Sequence, residues 1–174
     1  ELTVKDGKKV LYKNFGELLF THFGMSGPLV LTASSYIGKR LEKGPLQGFL
    51  DLKPALTVEQ LDRRLLREFE EGLNKQFKNV ITGWFPAKLY PVMLELGEIP
   101  PEKKVHEITR EERMAFLERV KKFPFTITGL RGFREAIITQ GGIKVKEIDP
   151  GTMESKKVMG LYFIGEVLDL DGVT

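Results

Sequence analysis

The stretch TVEQLDRRLLREFEEGLNKQF, residues 57–77, decides how this sequence divides into helices and strands. Thr57 and Gln60 have the spacing of a capping box, in which two side chains satisfy free N–H groups at a helix start. Apolar residues then recur every three or four positions, the period of one helix face. They are Val58, Leu61, Leu65, Phe69, Leu73 and Phe77. The pattern predicts a helix from Val58 to Asn79, with Gly72 as its weak point.

Two further helices are predicted downstream. Pro86 suits the first turn of a helix, and Gly97 is a typical residue at a helix end. Thr109 and Glu112 form a second capping box and open a third helix. Short amphipathic helices are not stable alone in water, so the three must pack together or against a sheet.

Strand patterns precede this helical part. Residues 2–4 and 10–12 flank Asp6-Gly7, a dipeptide that favours a tight hairpin turn. A second apolar run, 17–21, leads through a glycine-rich turn to a short helix over 29–37. Residues 49–52 are predicted to form another strand.

Strand patterns return after the helices. Apolar residues alternate over 125–130, and further strands are predicted over 136–139 and 143–148. The run Leu161-Tyr162-Phe163-Ile164 is typical of a buried strand. The order β, α, β predicts an α+β fold: a small β-rich, barrel-like unit (1–53 and 124–151) interrupted by a helical subdomain (54–123). Residues 152–174 are expected to form a separate return segment.

Composition excludes several classes of protein. The 174 residues include 27 Lys and Arg, 24 Asp and Glu and no Cys, with a formal net charge of +3 and 41% hydrophobic residues. This excludes a disulfide scaffold, a thiolate metal site and a cysteine nucleophile. No apolar run is long enough to span a membrane, so a cytoplasmic location is expected. Acids and bases alternate along the chain, which argues against a nucleic-acid partner.

Few residues indicate chemistry directly. His22 and His106 have no further ligand at metal-binding spacing. His22 lies beside a glycine-rich turn, where it either supports the turn or contributes to a site. Residues 24–28, Gly-Met-Ser-Gly-Pro, precede a helix and either bind an anion or form a tight turn; they match no nucleotide-binding motif.

The strongest candidate site follows the last predicted strand. Gly165 permits a close backbone approach, and Glu166 and Asp169 come directly after it. Acidic residues at strand ends can accept hydrogen bonds from ribose or ribityl hydroxyls. A strand followed by an ordinary polar turn has the same pattern.

Four stretches together resemble the BaiN/YhiN-like flavoproteins, a family of NAD(P)/FAD-dependent oxidoreductases and aminoacetone-oxidase-like enzymes. They are GELLFTHFGMSGP (16–28), ITQGGI (138–143), TMESK (152–156) and GLYFIGEVLDLDG (160–172). The resemblance implies an insert domain within a larger FAD-binding protein, with NAD(P)H as a candidate electron donor. The dinucleotide fingerprint of that family is not in this sequence, so we expect a fragment that is inactive and colourless alone.

The resemblance also implies roles for particular residues. Gly165, Glu166 and Asp169 would line the flavin site, with Asp169 near the ribityl or phosphate region. The insert would cover the isoalloxazine ring and shape a pocket for a small-molecule substrate that the sequence does not identify. No catalytic residue is implied, and His22 is the only candidate.

Two other interpretations stay open. The chain is also consistent with a self-contained module that binds nucleic acid through Lys8-Lys9, Lys103-Lys104 and Lys156-Lys157. Alternatively, the apolar helical stripe binds a protein partner.

Overall fold

The structure, a computed structural model, describes residues 1–137 and 139–170. Six strands and five α-helices occur there in the order β, β, β, β, α, β, α, α, α, α, β. They are β1 (Leu2–Asp6), β2 (Lys9–Asn14), β3 (Leu19–Thr21), β4 (Gly24–Ser26), α1 (Pro28–Leu41), β5 (Leu46–Leu50), α2 (Val58–Glu70), α3 (Phe77–Val80), α4 (Tyr90–Leu96), α5 (Arg110–Lys121) and β6 (Phe123–Ile127).

The main sheet has four antiparallel strands in the order β2-β1-β5-β6. The predicted hairpin joins β1 to β2, and Gly7 adopts the positive φ of 56° that its turn requires. β3 and β4 form a separate two-stranded ribbon. The α+β prediction is confirmed, and within the described ranges the strands form open sheets, not a closed barrel.

Helices α2–α5 come between β5 and β6 in the sequence, and these two strands are neighbours in the sheet. β5 and β6 are paired, with Leu50 opposite Phe123, so the chain leaves β5 and enters β6 at the same end of the sheet. The Lys121 ammonium closes this junction. It lies 2.5 Å from the Asp51 carboxylate and donates to the Lys53 and Leu56 carbonyls at 3.1 and 2.7 Å.

Aromatic side chains form the centre of this helical part. Phe77 and Phe116 are fully buried and meet edge to face, with ring centroids 5.1 Å apart. Phe69, Trp84 and Phe85 pack around them. Edge-to-face pairs stabilise a core beyond simple burial of area.

The helix predictions are partly confirmed. Both capping boxes are present, at Thr57 and at Thr109. The single helix predicted over 58–79 is wrong: α2 ends at Glu70, and α3 starts at Phe77. The break lies at Gly72, whose carbonyl accepts a turn hydrogen bond from the Lys75 N–H at 2.7 Å. A glycine is unfavourable inside a helix, so the chain turns there.

The start of the second predicted helix also differs. α4 begins at Tyr90, because residues 87–89 form a turn in which the Pro86 carbonyl accepts from the Leu89 and Tyr90 N–H groups. Its predicted end is confirmed, with Gly97 as the C-cap.

The strands predicted in the last third are wrong. Residues 133–135, 145–147 and 165–167 are single 3₁₀ turns, and the only β pairing in the described residues after 127 is in isolated bridges. The run 161–164 is exposed, with Ile164 75% accessible. In the described ranges no neighbouring strand pairs with these apolar runs, so they do not form β-strands. Ile138 lies outside the described residues.

None of the helices in the described ranges combines the length and apolar character that a membrane span requires.

Candidate functional site

Two of the sequence motifs meet at a backbone contact that we call the clasp, formed by Gly142 and Ile143 with residues 165–169. The Ile143 N–H donates to the Val167 carbonyl at 2.8 Å, and the Asp169 N–H donates to the Ile143 carbonyl at 2.9 Å. Leu168, between them, is buried. The clasp therefore fixes the backbone that carries the predicted site residues.

Gly142 is required by the clasp. Its φ is 138°, and a Cβ atom added there would lie 2.4 Å from the Val167 carbonyl oxygen. Both the conformation and the close approach exclude a side chain. The sequence contained this signal as a Gly-Gly pair, but sequence reasoning did not connect it with Gly165.

The clasp presents Gly165, Glu166 and Asp169 differently. Gly165 has a φ of 77°, and a Cβ added there would meet no atom within 4 Å. Glu166 is exposed, whereas Asp169 is half-buried. Gly165 and Glu166 therefore lie in one short turn, 165–167, with open space beside Gly165, and Asp169 follows two residues after the turn.

The turn is supported by the TMESK motif. The Ser155 N–H donates to the Leu161 carbonyl at 2.7 Å, and the Phe163 N–H donates to the Met153 carbonyl at 3.0 Å. The Glu154 carboxylate accepts from the Gly160 N–H at 2.6 Å. Three of the four motifs are thus joined by hydrogen bonds into one unit.

A charged turn begins this unit. The Asp149 carboxylate accepts from the Gly151 and Thr152 N–H groups at 2.8 and 3.1 Å. These two hydrogen bonds lower the pKa of Asp149.

Beside the clasp, a shallow groove of about 350 Å³ is lined by Ile143, Lys157 and Phe163, among others.

The fourth motif lies on the β-rich part. His22 and Phe23 form the tip of the β3–β4 ribbon; both are exposed, with ring centroids 5.0 Å apart. The Arg131 guanidinium stacks 4.1 Å from the Phe23 ring centroid. In the described part of the chain, no hydrogen bond or ring contact joins His22 to residues 165–169.

The glycine-rich turn before α1 is a tight turn. Gly27 has a φ of 99°, and a Cβ there would lie 3.2 Å from the Glu17 carbonyl oxygen. That carbonyl also accepts from the Leu29 N–H at 3.2 Å. The start of α1 is therefore packed against the chain's own backbone, and the tight-turn interpretation is confirmed.

The Gln140 side chain links the clasp to helix α1. The Gln140 amide donates to the Ser35 carbonyl of α1 at 3.3 Å. Gln140 directly precedes the Gly-Gly pair of the clasp, so α1 anchors the loop that positions Gly165.

Within the described ranges, no group of His, Asp and Glu side chains is arranged to bind a metal ion.

Comparison with known proteins identifies the family. A family profile described as "HI0933-like protein barrel and H2TH domain" matches residues 1–138. That range includes the four-stranded sheet and the five α-helices α1–α5. The chain belongs to the HI0933-like family. The sequence-based resemblance to BaiN/YhiN-like flavoproteins is thereby confirmed.

Three HI0933-like relatives bear functional names. A 3-dehydro-bile acid delta(4,6)-reductase of Clostridium scindens is 30% identical over 168 residues, which are 96% of this chain and 41% of that protein. A ribosomal RNA dihydrouridine synthase of Haemophilus influenzae is 34% identical over 91% of this chain and 37% of its own length. A ribosomal RNA dihydrouridine synthase of Escherichia coli is 34% identical over 89% of this chain and 36% of its own length. The chain thus spans about two fifths of these relatives, which are oxidoreductases of a flavoprotein family.

Proposed function

We propose that this chain is the insert domain of a FAD-dependent oxidoreductase and that Gly165, Glu166 and Asp169 contact the flavin. The observation that carries the proposal is the clasp. It joins the Gly-Gly motif to the Gly165 turn, where the backbone has open space beside it and where Glu166 and Asp169 follow in the chain. Such a turn suits a ligand with a flat ring and several hydroxyls.

The residues present fit a flavin. The open space at Gly165 allows a ring system to approach the backbone closely. Carboxylates accept hydrogen bonds from hydroxyls, so Asp169 would hold the ribityl chain and Glu166 a second polar group. When bound, the flavin would supply the redox chemistry, and the protein would bind it, orient it and exclude water.

We also propose that this region packs against the protein's own FAD-binding domain. Tyr162, Ile164 and Leu170 are 58%, 75% and 65% exposed around the Gly165 turn. Large apolar side chains gathered on a surface mark interaction sites. In this proposal the sheet (1–53 and 124–151) and the helical subdomain (54–123) cover the flavin and shape the substrate pocket, and 152–174 returns toward the FAD-binding domain.

The names of the relatives suggest the reaction class. A delta(4,6)-reductase acting on a 3-dehydro compound and a synthase producing dihydrouridine both saturate a carbon–carbon double bond conjugated with a carbonyl. We propose the same reaction for the whole protein. One carbon would gain a hydride and the other a proton, while NAD(P)H is oxidised to NAD(P)⁺.

The test measures the flavin content of the whole protein after substitution. Asp169→Ala and Glu166→Gln are each expected to lower the amount of bound flavin, because each removes an acceptor for the cofactor. Glu70→Gln, an exposed acid on α2, is the control and should leave flavin content unchanged. Full flavin occupancy in both site variants would contradict the proposed roles.

A second measurement addresses the 174 residues alone. The proposal predicts a colourless chain that binds no flavin, because one turn supplies too few contacts. Stoichiometric flavin bound to this chain alone would show that it is a complete flavin-binding unit.

A further inference from the structure

The exposed side of α2 carries three arginines, which with Lys53 we call the arginine face. Arg63, Arg64 and Arg67 line an open groove of about 500 Å³ with Gln60, Glu68 and Leu56. The buried side of α2 holds Leu61, Leu65 and Phe69, so the arginines lie opposite the core. The cations are thus gathered on one helix face, although charge alternates along the sequence.

Arg64 is held in position by its neighbours. Its Nε donates to the Glu68 carboxylate at 2.9 Å, and its guanidinium stacks 5.0 Å from the Trp84 ring centroid. The Trp84 Nε1–H donates to the other Glu68 oxygen at 2.6 Å. Each oxygen of the Glu68 carboxylate therefore accepts a hydrogen bond, and Arg64 is held between Glu68 and Trp84.

Acids hold Arg63 and Arg67 less closely than Arg64: among the described residues, the Glu59 carboxylate interacts with the Arg63 charge without forming an ion pair. Within residues 1–137 and 139–170, neither forms an ion pair with a carboxylate; Arg63 instead donates to the Glu59 backbone carbonyl at 3.4 Å. They are four residues apart, a spacing at which like charges on a helix repel. An anion bound between them would relieve that repulsion.

Lys53 adds a further cation. Partial burial lowers the pKa of Lys53, and the charge of Arg64 lowers it further. The positive charges of Lys53 and Arg64 therefore act on one another. This concentration of positive charge is what a polyanion binds.

The shape and lining of the groove indicate which kind of ligand this surface suits. A steroid acid has one carboxylate and needs an enclosed, mainly apolar pocket. This groove is open, and among its lining residues Leu56 is the only apolar one. The planar guanidinium group of arginine can donate two hydrogen bonds to one phosphate, and several arginines on one surface can contact successive phosphates of a nucleic-acid backbone.

We propose that the arginine face binds the phosphate backbone of an RNA substrate. This inference rests on the proposed reductase function and narrows its substrate class to uridine-containing RNA. Backbone contacts position an RNA without reading its sequence, so the face would orient the substrate while the target base enters the pocket near the flavin.

The lysine pairs noted in the sequence do not form this surface. Lys103 is paired with Glu112 at 2.7 Å, and Lys157 with Glu147 at 2.7 Å. Lys8 and Lys9 lie at the β1–β2 turn, on the sheet. The surface is instead formed by arginines whose helical spacing places them on one face.

The test compares two variants of the whole flavoprotein, each lacking two positive charges. Arg63→Gln/Arg67→Gln alters the arginine face and leaves Arg64 and its contacts intact. Lys88→Gln/Lys104→Gln removes two exposed cations of the helical part outside the groove. Binding of a labelled RNA stem-loop is measured by fluorescence anisotropy across a salt series.

The arginine variant is expected to bind RNA about ten-fold more weakly near physiological salt, with the log–log salt slope reduced by about 2. The lysine variant should retain affinity and slope. Equal losses in both variants, or no loss in the arginine variant, would overturn the proposal. Loss of binding to phosphatidylserine vesicles without loss of RNA binding would assign the face to membranes and also overturn it.

Flavin content and NAD(P)H oxidation with a small enone are measured on the same preparations. Both readouts should be unchanged in the arginine variant. If the wild-type protein lacks flavin or enone reduction, the proposed function fails independently of RNA binding. Melting temperatures of both variants verify that each is folded.

Discussion

The helical part between β5 and β6 and the segment from 139 to 170 are held together in different ways. The helical part has a fully buried aromatic centre and two capping boxes. The later segment has two buried apolar residues, Ile148 and Leu168, and is held by backbone hydrogen bonds between loops. Its other large apolar side chains are mostly exposed.

This difference indicates a division of roles. Burial of apolar area is the main stabilising contribution to folding, so the helical part is stable through its own core. The loop segment depends on close backbone contacts and presents apolar side chains and carboxylates outward. It is therefore the region that we expect to respond to a cofactor and a packed domain.

The largest effect should follow truncation of the helical core. Phe116→Ala removes a fully buried ring in contact with Phe77, Trp84 and Phe85. We expect a loss of about 3–5 kcal/mol in the free energy of unfolding, measured by urea denaturation. Met159→Ala, at a side chain of the later segment that is 95% exposed, should change it by less than about 0.5 kcal/mol. Equal losses would remove the contrast between the two regions.

The clasp should respond next most strongly. In Gly142→Ala the new Cβ collides with the Val167 carbonyl, and strain of this kind costs about 1–3 kcal/mol. Gly141→Ala shares the unfavourable positive φ but meets no atom within 4 Å, so it isolates the collision. The whole protein should lose more flavin with Gly142→Ala than with Gly141→Ala. Equal flavin content in both variants would show that the clasp does not position the site.

A helix cap should give a smaller effect within the stable region. The Thr109 hydroxyl accepts from the Glu112 N–H at 3.2 Å, and the Glu112 carboxylate accepts from the Thr109 N–H at 2.8 Å. Thr109→Ala should lower the melting transition by an amount equivalent to about 1 kcal/mol. An unchanged transition would show that the first turn of α5 contributes nothing to stability.

The smallest effect concerns pH. Hydrogen bonds from the Lys103 ammonium and the Thr109 N–H lower the pKa of Glu112 below its ordinary 4.5. A carboxyl with a lowered folded-state pKa stabilises the fold above its unfolded pKa and loses that contribution as pH falls through the folded value. Glu112→Gln should therefore be less sensitive to acid below about pH 4.5. Identical pH profiles of unfolding would contradict this.

The sequence predicted best what depends on local rules. The capping boxes, the Asp6-Gly7 hairpin and the end of α4 at Gly97 follow from side chains near the backbone groups they satisfy. The strand predictions after residue 127 failed because apolar alternation shows what a segment can bury, not whether a partner strand exists. Ile137 and Ile164, both 75% exposed, have the pattern without the partner.

The candidate site shows the same limit. Sequence motifs pointed to Gly165, Glu166 and Asp169. The structure places the first two in one turn and Asp169 just after it, but their contact with a flavin stays a prediction. The clasp itself was missed, since it joins residues more than twenty positions apart through backbone atoms. The arginine face was missed because its charges gather only when the helix forms.

The central claim is that the Gly165 turn becomes a flavin contact in the whole protein. Hydrogen exchange, followed by mass spectrometry in the flavin-loaded and flavin-free protein, tests this most directly. We predict strong protection of residues 161–169 on flavin binding, with little change in α2 and α5. Unchanged exchange in 161–169, with protection confined to the helices, would contradict the claim.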